Sequence, residues 1–146
     1  MLRIIVFGII MMVFTVAIHT AFTAVAARHL IKILRREETS RTFLRNVFVL
    51  QTAATILMAG HIIEMGLWAA LFMVLGTFSR FSDALYHSAV NFTTLGYGDI
   101  VMPDPWRMFG PLEAANGIMT FGITTATMFA IMTRMLVHAG SLSRHQ

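Results

Sequence analysis

Three stretches of this 146-residue chain stay apolar for longer than a bilayer core of about 30 Å requires. The first, Ile4–Ala27, holds no charged residue and one histidine, His19. The second, Asn46–Phe78, is interrupted only by His61 and Glu64, and the third, Pro111–Thr133, carries Glu113 near its start. Soluble helices show polar stripes at a period of 3.6, whereas these segments are apolar nearly all round, so each reads as a membrane helix. The second stretch would extend about 50 Å as one helix. A hairpin near Gly60-His61 would leave each half under 18 residues, with no turn cluster between them. One long outer helix is therefore predicted, with Ser40 able to act as its N-cap.

Charge orients these segments. Residues 28–45 carry Arg28, Lys32, Arg35, Arg36, Arg41 and Arg45, six of the eleven basic residues, and the positive-inside rule puts them in the cytoplasm. The third stretch is followed by Arg134, His138 and Arg144, so the C-terminus is also expected to be cytoplasmic and the N-terminus outside. Two spans with a re-entrant loop between them satisfy both basic segments; three spans do not. Ala24-Val25-Ala26 resembles a signal-peptidase site. However, the apolar run before it exceeds a signal h-region and its basic residues follow rather than precede it, which favours a retained helix. A chain 57% hydrophobic and 12% charged is not an ordinary soluble domain. It contains no cysteine, which excludes disulfides and thiolate metal sites. The net charge of +4 belongs to the cytoplasmic loop and implies contact with anionic lipid rather than nucleic acid.

The segment between the second and third stretches reads as re-entrant. Ser82 and Asp83 have side chains able to satisfy free amides at a helix start, and Ala84–Phe92 would descend about halfway through the membrane. Its C-terminal end would point partial negative charge at a central cavity and favour a cation there. Val101-Met102-Pro103-Asp104-Pro105 would then form an outer turn, with Trp106 as an interface anchor. Pro111 is tolerable only inside the first turn of the following helix.

The intervening residues are Thr93-Thr94-Leu95-Gly96-Tyr97-Gly98-Asp99. They closely resemble the selectivity filter of potassium channels, in which backbone carbonyls replace the ion's hydration shell. Aiming successive carbonyls at one axis needs conformations that a Cβ disfavours, and Gly96 and Gly98 supply them. Thr94 can add a hydroxyl at the inner end, and Asp99 places a carboxylate at an outer mouth. One short loop cannot ring an ion, so the motif implies a homotetramer.

The resemblance extends from about residue 43 to 137 and covers the pore module of tetrameric potassium channels. Ala84-Leu85-Tyr86-His87-Ser88-Ala89-Val90-Asn91-Phe92-Thr93-Thr94 is similar to the family's pore helix, and Gly117-Ile118-Met119-Thr120-Phe121-Gly122-Ile123-Thr124-Thr125 to its inner helix. By that resemblance Gly117 matches a hinge position, although small residues also serve close helix packing. Ile118, Phe121 and Thr125 match cavity-lining positions, and Phe129 and Thr133 continue that face to an intracellular constriction. Three departures stand out. Tyr86 and His87 replace paired tryptophans, Val90 stands where some members have glutamate, and Leu95 replaces valine. Tyr86 can still donate to Asp99, the role the resemblance implies for the first aromatic.

The expected organisation is an all-α membrane protein, with residues 1–34 forming an extra N-terminal transmembrane helix and the start of the cytoplasmic loop, and residues 35–45 the basic cytoplasmic loop. Residues 46–137 are the pore module, divided into outer helix 46–78, pore helix 83–92, filter 93–99 and inner helix 106–137; residues 138–146 are a short tail. The expected function is passive, potassium-selective conduction in a multi-pass cell-membrane protein. The alternative is a non-selective or non-conducting regulatory protein on the same fold. Ile4–Ala27 lacks the spaced arginines of a voltage sensor, and the thirteen residues after Thr133 leave no room for a ligand-binding domain within this chain. His61 and Glu64 share a helix face at i and i+3, where a charge costs about 2.5–3.5 kcal/mol on insertion scales and so calls for a partner. Candidates for Glu64 are His61, His87, Asn91 or the inner helix; Glu113 could pair with Arg107 or His87. Such a set either braces the filter or senses protons. His19 reads as an interhelical hydrogen bond. His61-Ile62-Ile63-Glu64 is not a zinc motif, and no nucleophile elbow or phosphate loop is present. No enzyme activity and no cofactor are therefore expected, and potassium at the filter is the only metal.

Overall fold

A computed structural model describes residues 2–36 and 43–142, which form four helices: α1 (Leu2–Arg36), α2 (Phe43–Val74), α3 (Phe81–Phe92) and α4 (Phe109–Leu142). A single 3-10 turn, Trp106–Met108, leads into α4. Three of the four, α1, α2 and α4, are long and apolar enough to cross a membrane. The expected Ser40 cap, the centre of the basic 35–45 loop and the end of the 138–146 tail lie outside the described residues.

Several boundaries differ from the expected ones, each for a local reason. The first helix does not stop at Ala27 but runs through Arg28 and Lys32 to Arg36, residue types that propagate a helix well beyond the apolar span. The outer helix ends at Val74, short of Phe78. Gly76 takes φ +70°, its N–H bonds the Met73 carbonyl at 3.0 Å, and the Thr77 N–H bonds the Phe72 carbonyl at 3.1 Å. These are the paired bonds of a Schellman stop, in which a glycine accepts the left-handed backbone that closes the helix. The pore helix begins at Phe81, after an extended Arg80 that makes no side-chain cap bond. Ser82 donates to the Asp83 carboxylate at 3.2 Å instead of capping an amide, so the expected cap is corrected; Asp83 still complements the helix dipole from the first turn. The inner helix is not continuous from residue 106. The 3-10 turn absorbs Trp106–Met108, which leaves Pro111 in the first turn of α4, where its missing N–H removes no helical bond. α4 then continues past residue 137 into the expected tail.

α1 lies antiparallel to α2 and packs along both α2 and α4. Two apolar clusters hold this bundle at opposite ends. Ala26 and Leu30 of α1, Val49, Ala53 and Leu57 of α2, and Ile131 and Met135 of α4 form one. Trp68, Ala69 and Phe72 of α2, Ala84 and Phe92 of α3, Met102 and Phe109 form the other. Between them lies a layer of buried polar residues that includes Thr15, His19, His61, Glu64, Ser88, Glu113, Asn116 and Thr120. In an apolar surround these groups must satisfy one another, so this layer fixes the register of the helices. Asn116 donates to Thr15 Oγ1 at 2.8 Å, one of the bonds tying α4 to α1.

Candidate functional site

The loop that leaves α3 is anchored to the end of that helix. Thr93 donates its N–H and its hydroxyl to the Ala89 carbonyl, at 3.1 and 2.7 Å. The Thr94 N–H reaches the Asn91 carbonyl at 2.8 Å, and the Gly96 N–H the Val90 carbonyl at 3.2 Å. The unpaired carbonyls at the end of α3 are thus occupied by the start of the loop. Thr94, Gly96 and Gly98 have φ of 61°, 62° and 74°, while Leu95 and Tyr97 do not enter positive φ. Alternation in the sense of φ turns successive peptide groups toward one side of the chain. For a β-branched threonine the left-handed region costs of order 1–3 kcal/mol, so the anchoring bonds of its neighbours must hold it there. Thr93 through Asp99 are all exposed, with Leu95 at 54% and Tyr97 at 68%.

Three consecutive side chains of α3 make the polar contacts behind the loop. The Tyr86 hydroxyl donates to Asp99 Oδ2 at 2.7 Å, and this bond holds the Asp99 carboxyl below its ordinary range. His87 donates from Nδ1 to the Ile100 carbonyl at 3.0 Å and accepts at Nε2 from Asn91 at 2.9 Å, a pairing that fixes the neutral tautomer. Ser88 reaches the Met65 carbonyl at 2.8 Å and the Glu113 carboxyl at 2.5 Å. Glu113 therefore pairs with Ser88, not with Arg107 or His87: Arg107 lies exposed near Asp104 at 3.8 Å, and His87 is committed to Ile100. Ser88 was not singled out by its sequence position, because a lone serine in a helix carries no pattern of its own.

On α4, Gly117 touches the end of the pore helix. A Cβ there would stand 1.8 Å from the Phe92 carbonyl oxygen, so only glycine permits this approach. Ile118, Phe121, Thr125, Phe129 and Thr133 are all exposed and form one stripe along α4. The buried face of α4, with Glu113, Asn116, Gly117, Thr120, Ile131 and Met135, points into the bundle.

Glu64 is fully buried, and its closest partner is on the helix sequence reasoning left least defined. His19 Nδ1 of α1 lies 2.8 Å from Glu64 Oε1, whereas His61 Nδ1 lies 3.6 Å from Oε2. Both histidines turn their Nε2 atoms to Thr124 of α4, at 3.0 Å from His19 and 2.9 Å from His61. The partner of Glu64 is thus on α1 rather than on the pore helix. Equal depth was the available signal: His19 sits mid-way along the first apolar run, as His61 and Glu64 do along the second. Thr124 offered none, being one of many threonines. The donor atoms of His19, His61 and Glu64 all fall within 4.8 Å of one another. However, the two rings are stacked, 4.6 Å apart and 28° from parallel. Their Nδ1 atoms face separate oxygens of the Glu64 carboxylate, and their Nε2 atoms meet at Thr124 Oγ1.

Comparison with known proteins places these features. No curated protein and no solved structure matches the chain significantly. A protein-family model described as an ion channel matches residues 47–134, which covers most of α2, all of α3, the exposed loop and most of α4. With more than half its length inside that match and three helices able to cross a membrane, the chain belongs to the ion-channel pore family.

Proposed function

We propose that four copies of this chain assemble into a potassium-selective channel that conducts passively through Thr94–Gly98. The observation that carries the reading is the Thr-Leu-Gly-Tyr-Gly-Asp string with φ positive at its first, third and fifth residues, in an exposed loop between two membrane helices. Four such loops around an axis would present stacked rings of carbonyls spaced to replace a potassium ion's water. α3 would point its C-terminal end, with partial negative charge, at the central cavity.

Assembly also accounts for the exposure. Leu95 and Tyr97 would otherwise leave large side chains open in the polar loop. In a tetramer Ile118, Phe121 and Thr125 line the cavity, while Phe129 and Thr133 approach the axis near the cytoplasmic end. The loop is re-entrant from outside, with the N-terminus outside and the C-terminus in the cytoplasm, as the basic residues near Arg28–Arg45 require. Asp99, whose carboxyl accepts from Tyr86, adds negative charge at the outer mouth.

Purified protein reconstituted into liposomes under a potassium gradient tests the reading. Valinomycin-free vesicles should develop a membrane potential that follows the potassium gradient, and replacing potassium by sodium should abolish it. A potential indifferent to the cation would support a non-selective pore, and no potential at all a non-conducting member of the family.

A further inference from the structure

Glu64, His19, Thr124 and His61 form a closed circuit of four polar contacts linking α1, α2 and α4. Three are short, at 2.8, 3.0 and 2.9 Å, and the fourth, His61 Nδ1 to Glu64 Oε2, is open at 3.6 Å. Each contact needs one hydrogen between its two heavy atoms. A carboxylate brings none, a threonine hydroxyl one, and two neutral imidazoles one each, so the circuit is one hydrogen short. The observed geometry is that of the three-hydrogen circuit. His19 Nδ1–H donates to Glu64, Thr124 donates to His19 Nε2, and His61 Nε2–H donates to Thr124. That leaves the bare Nδ1 of His61 facing the bare Oε2 of Glu64. Both atoms are buried and without a hydrogen-bond partner. At 3.6 Å the gap is too short for a bridging water.

We infer that each chain binds one proton in the gap between His61 and Glu64, and that this proton controls how firmly α4 is held to α1 and α2. The proton comes from water and bonds to Nδ1, making His61 an imidazolium that donates to Oε2 and closes the fourth contact. A buried carboxylate then becomes half of a neutral pair, which removes the cost of an isolated charge in an apolar layer. His61 is flanked by His19 at 4.6 Å and by Phe121 at 4.3 Å, and an aromatic face favours a cation. From α1 only His19 faces the gap, from α4 the neutral Thr124 and Phe121, and from α3 the ring of Phe92. The other buried acid, Glu113, is bonded to Ser88, and among the described residues no lysine or arginine is buried. Nothing else on these elements therefore neutralises Glu64.

The site is wired to the parts of the molecule that conduction would use. Thr124 belongs to α4, Phe121 to its exposed stripe, and Phe92 ends the pore helix immediately before Thr93-Thr94. Losing the proton reopens the His61–Glu64 contact, which lies within α2, and reaches α4 through the Nε2–H of His61, which donates to Thr124 less strongly from a neutral ring than from an imidazolium. Proton binding does not depend on the conduction reading; its effect on flux does.

The test uses the full chain labelled with 15N-histidine in lipid vesicles, followed by NMR from about pH 8 to about pH 5. One imidazole, with a neighbouring carboxylate, should pass from a neutral tautomer to the doubly protonated form. In Glu64→Gln the side-chain amide supplies the fourth hydrogen, so both rings should stay neutral over the same range. Potassium flux should change about tenfold or more with pH in the native chain and by less than about twofold in Glu64→Gln. Thr124→Val should leave the imidazole titrating but flatten the flux response, and Thr124→Ser should restore it. Two neutral rings throughout the range in the native chain, or an unaltered titration in Glu64→Gln, would overturn the proton site. A full flux response in Thr124→Val would overturn its coupling to α4. A native chain that shows no flux still gives a decisive NMR result, so failure of the channel reading is separable.

Discussion

At the scale of single residues, two contacts around the exposed loop make sharp demands. Tyr86 donates to Asp99, and because the folded carboxyl sits below its unfolded value, the bond's contribution is present above the usual carboxylate range. It is lost as pH falls through the lowered value. Tyr86→Phe should therefore move the Asp99 carboxyl upward toward its ordinary range, as read by carbon NMR of that side chain, while leaving the fold intact. Gly117 makes the second demand. A methyl group there meets backbone, the Phe92 carbonyl, rather than a movable side chain. Gly117→Ala should cost about 1–3 kcal/mol or more, visible as a lowered thermal midpoint in detergent. The sequence carried the types at these positions but not their neighbours. The Tyr86–Asp99 contact was legible through the resemblance to the potassium-channel pore helix, which implies that role for the first aromatic. The placement of Gly117 against Phe92 was not, since a small residue suits a hinge and a close contact equally.

At the scale of elements, the long apolar runs announced every membrane helix, and what they hid was where each one stops. Hydropathy continues from Val74 to Phe78, but Gly76 ends α2 by backbone geometry, a signal readable in the sequence and outweighed by the apolar run around it. Two alanine substitutions separate the roles of glycine on this helix. Gly76 has φ +70° with open space around its missing Cβ, so Gly76→Ala should destabilise by about 1–2 kcal/mol through backbone strain alone. Gly66 also has open space but lies within the helix, so Gly66→Ala should stabilise by about 0.8–1.0 kcal/mol. Thermal denaturation of the two variants should give opposite signs. The polar layer was only half legible. His61 and Glu64 were visible as a pair because they share one helix, but His19 and Thr124 join them across sequence separations that no local pattern records. α1 thus has a specific role in the bundle: it supplies His19 to Glu64 and Thr15 to Asn116, the polar bonds that a two-span pore module alone would lack.

At the scale of the whole molecule, the single chain is half of an argument. Its interior is closed by two apolar clusters and a polar layer, while the loop Thr93–Asp99 and the stripe Ile118, Phe121, Thr125, Phe129 and Thr133 stay exposed. Four copies around an axis would bury that surface and bring the four loops together, which is why potassium selectivity and assembly stand or fall as one claim. The most direct measurement is the reversal potential of the reconstituted protein in a planar bilayer, with potassium on one side and sodium at equal concentration on the other. The account predicts a potential of many tens of millivolts, of the sign that opposes potassium efflux, and its collapse when Gly96 is replaced by alanine. A steady, protein-dependent current reversing near zero under the same conditions would contradict it.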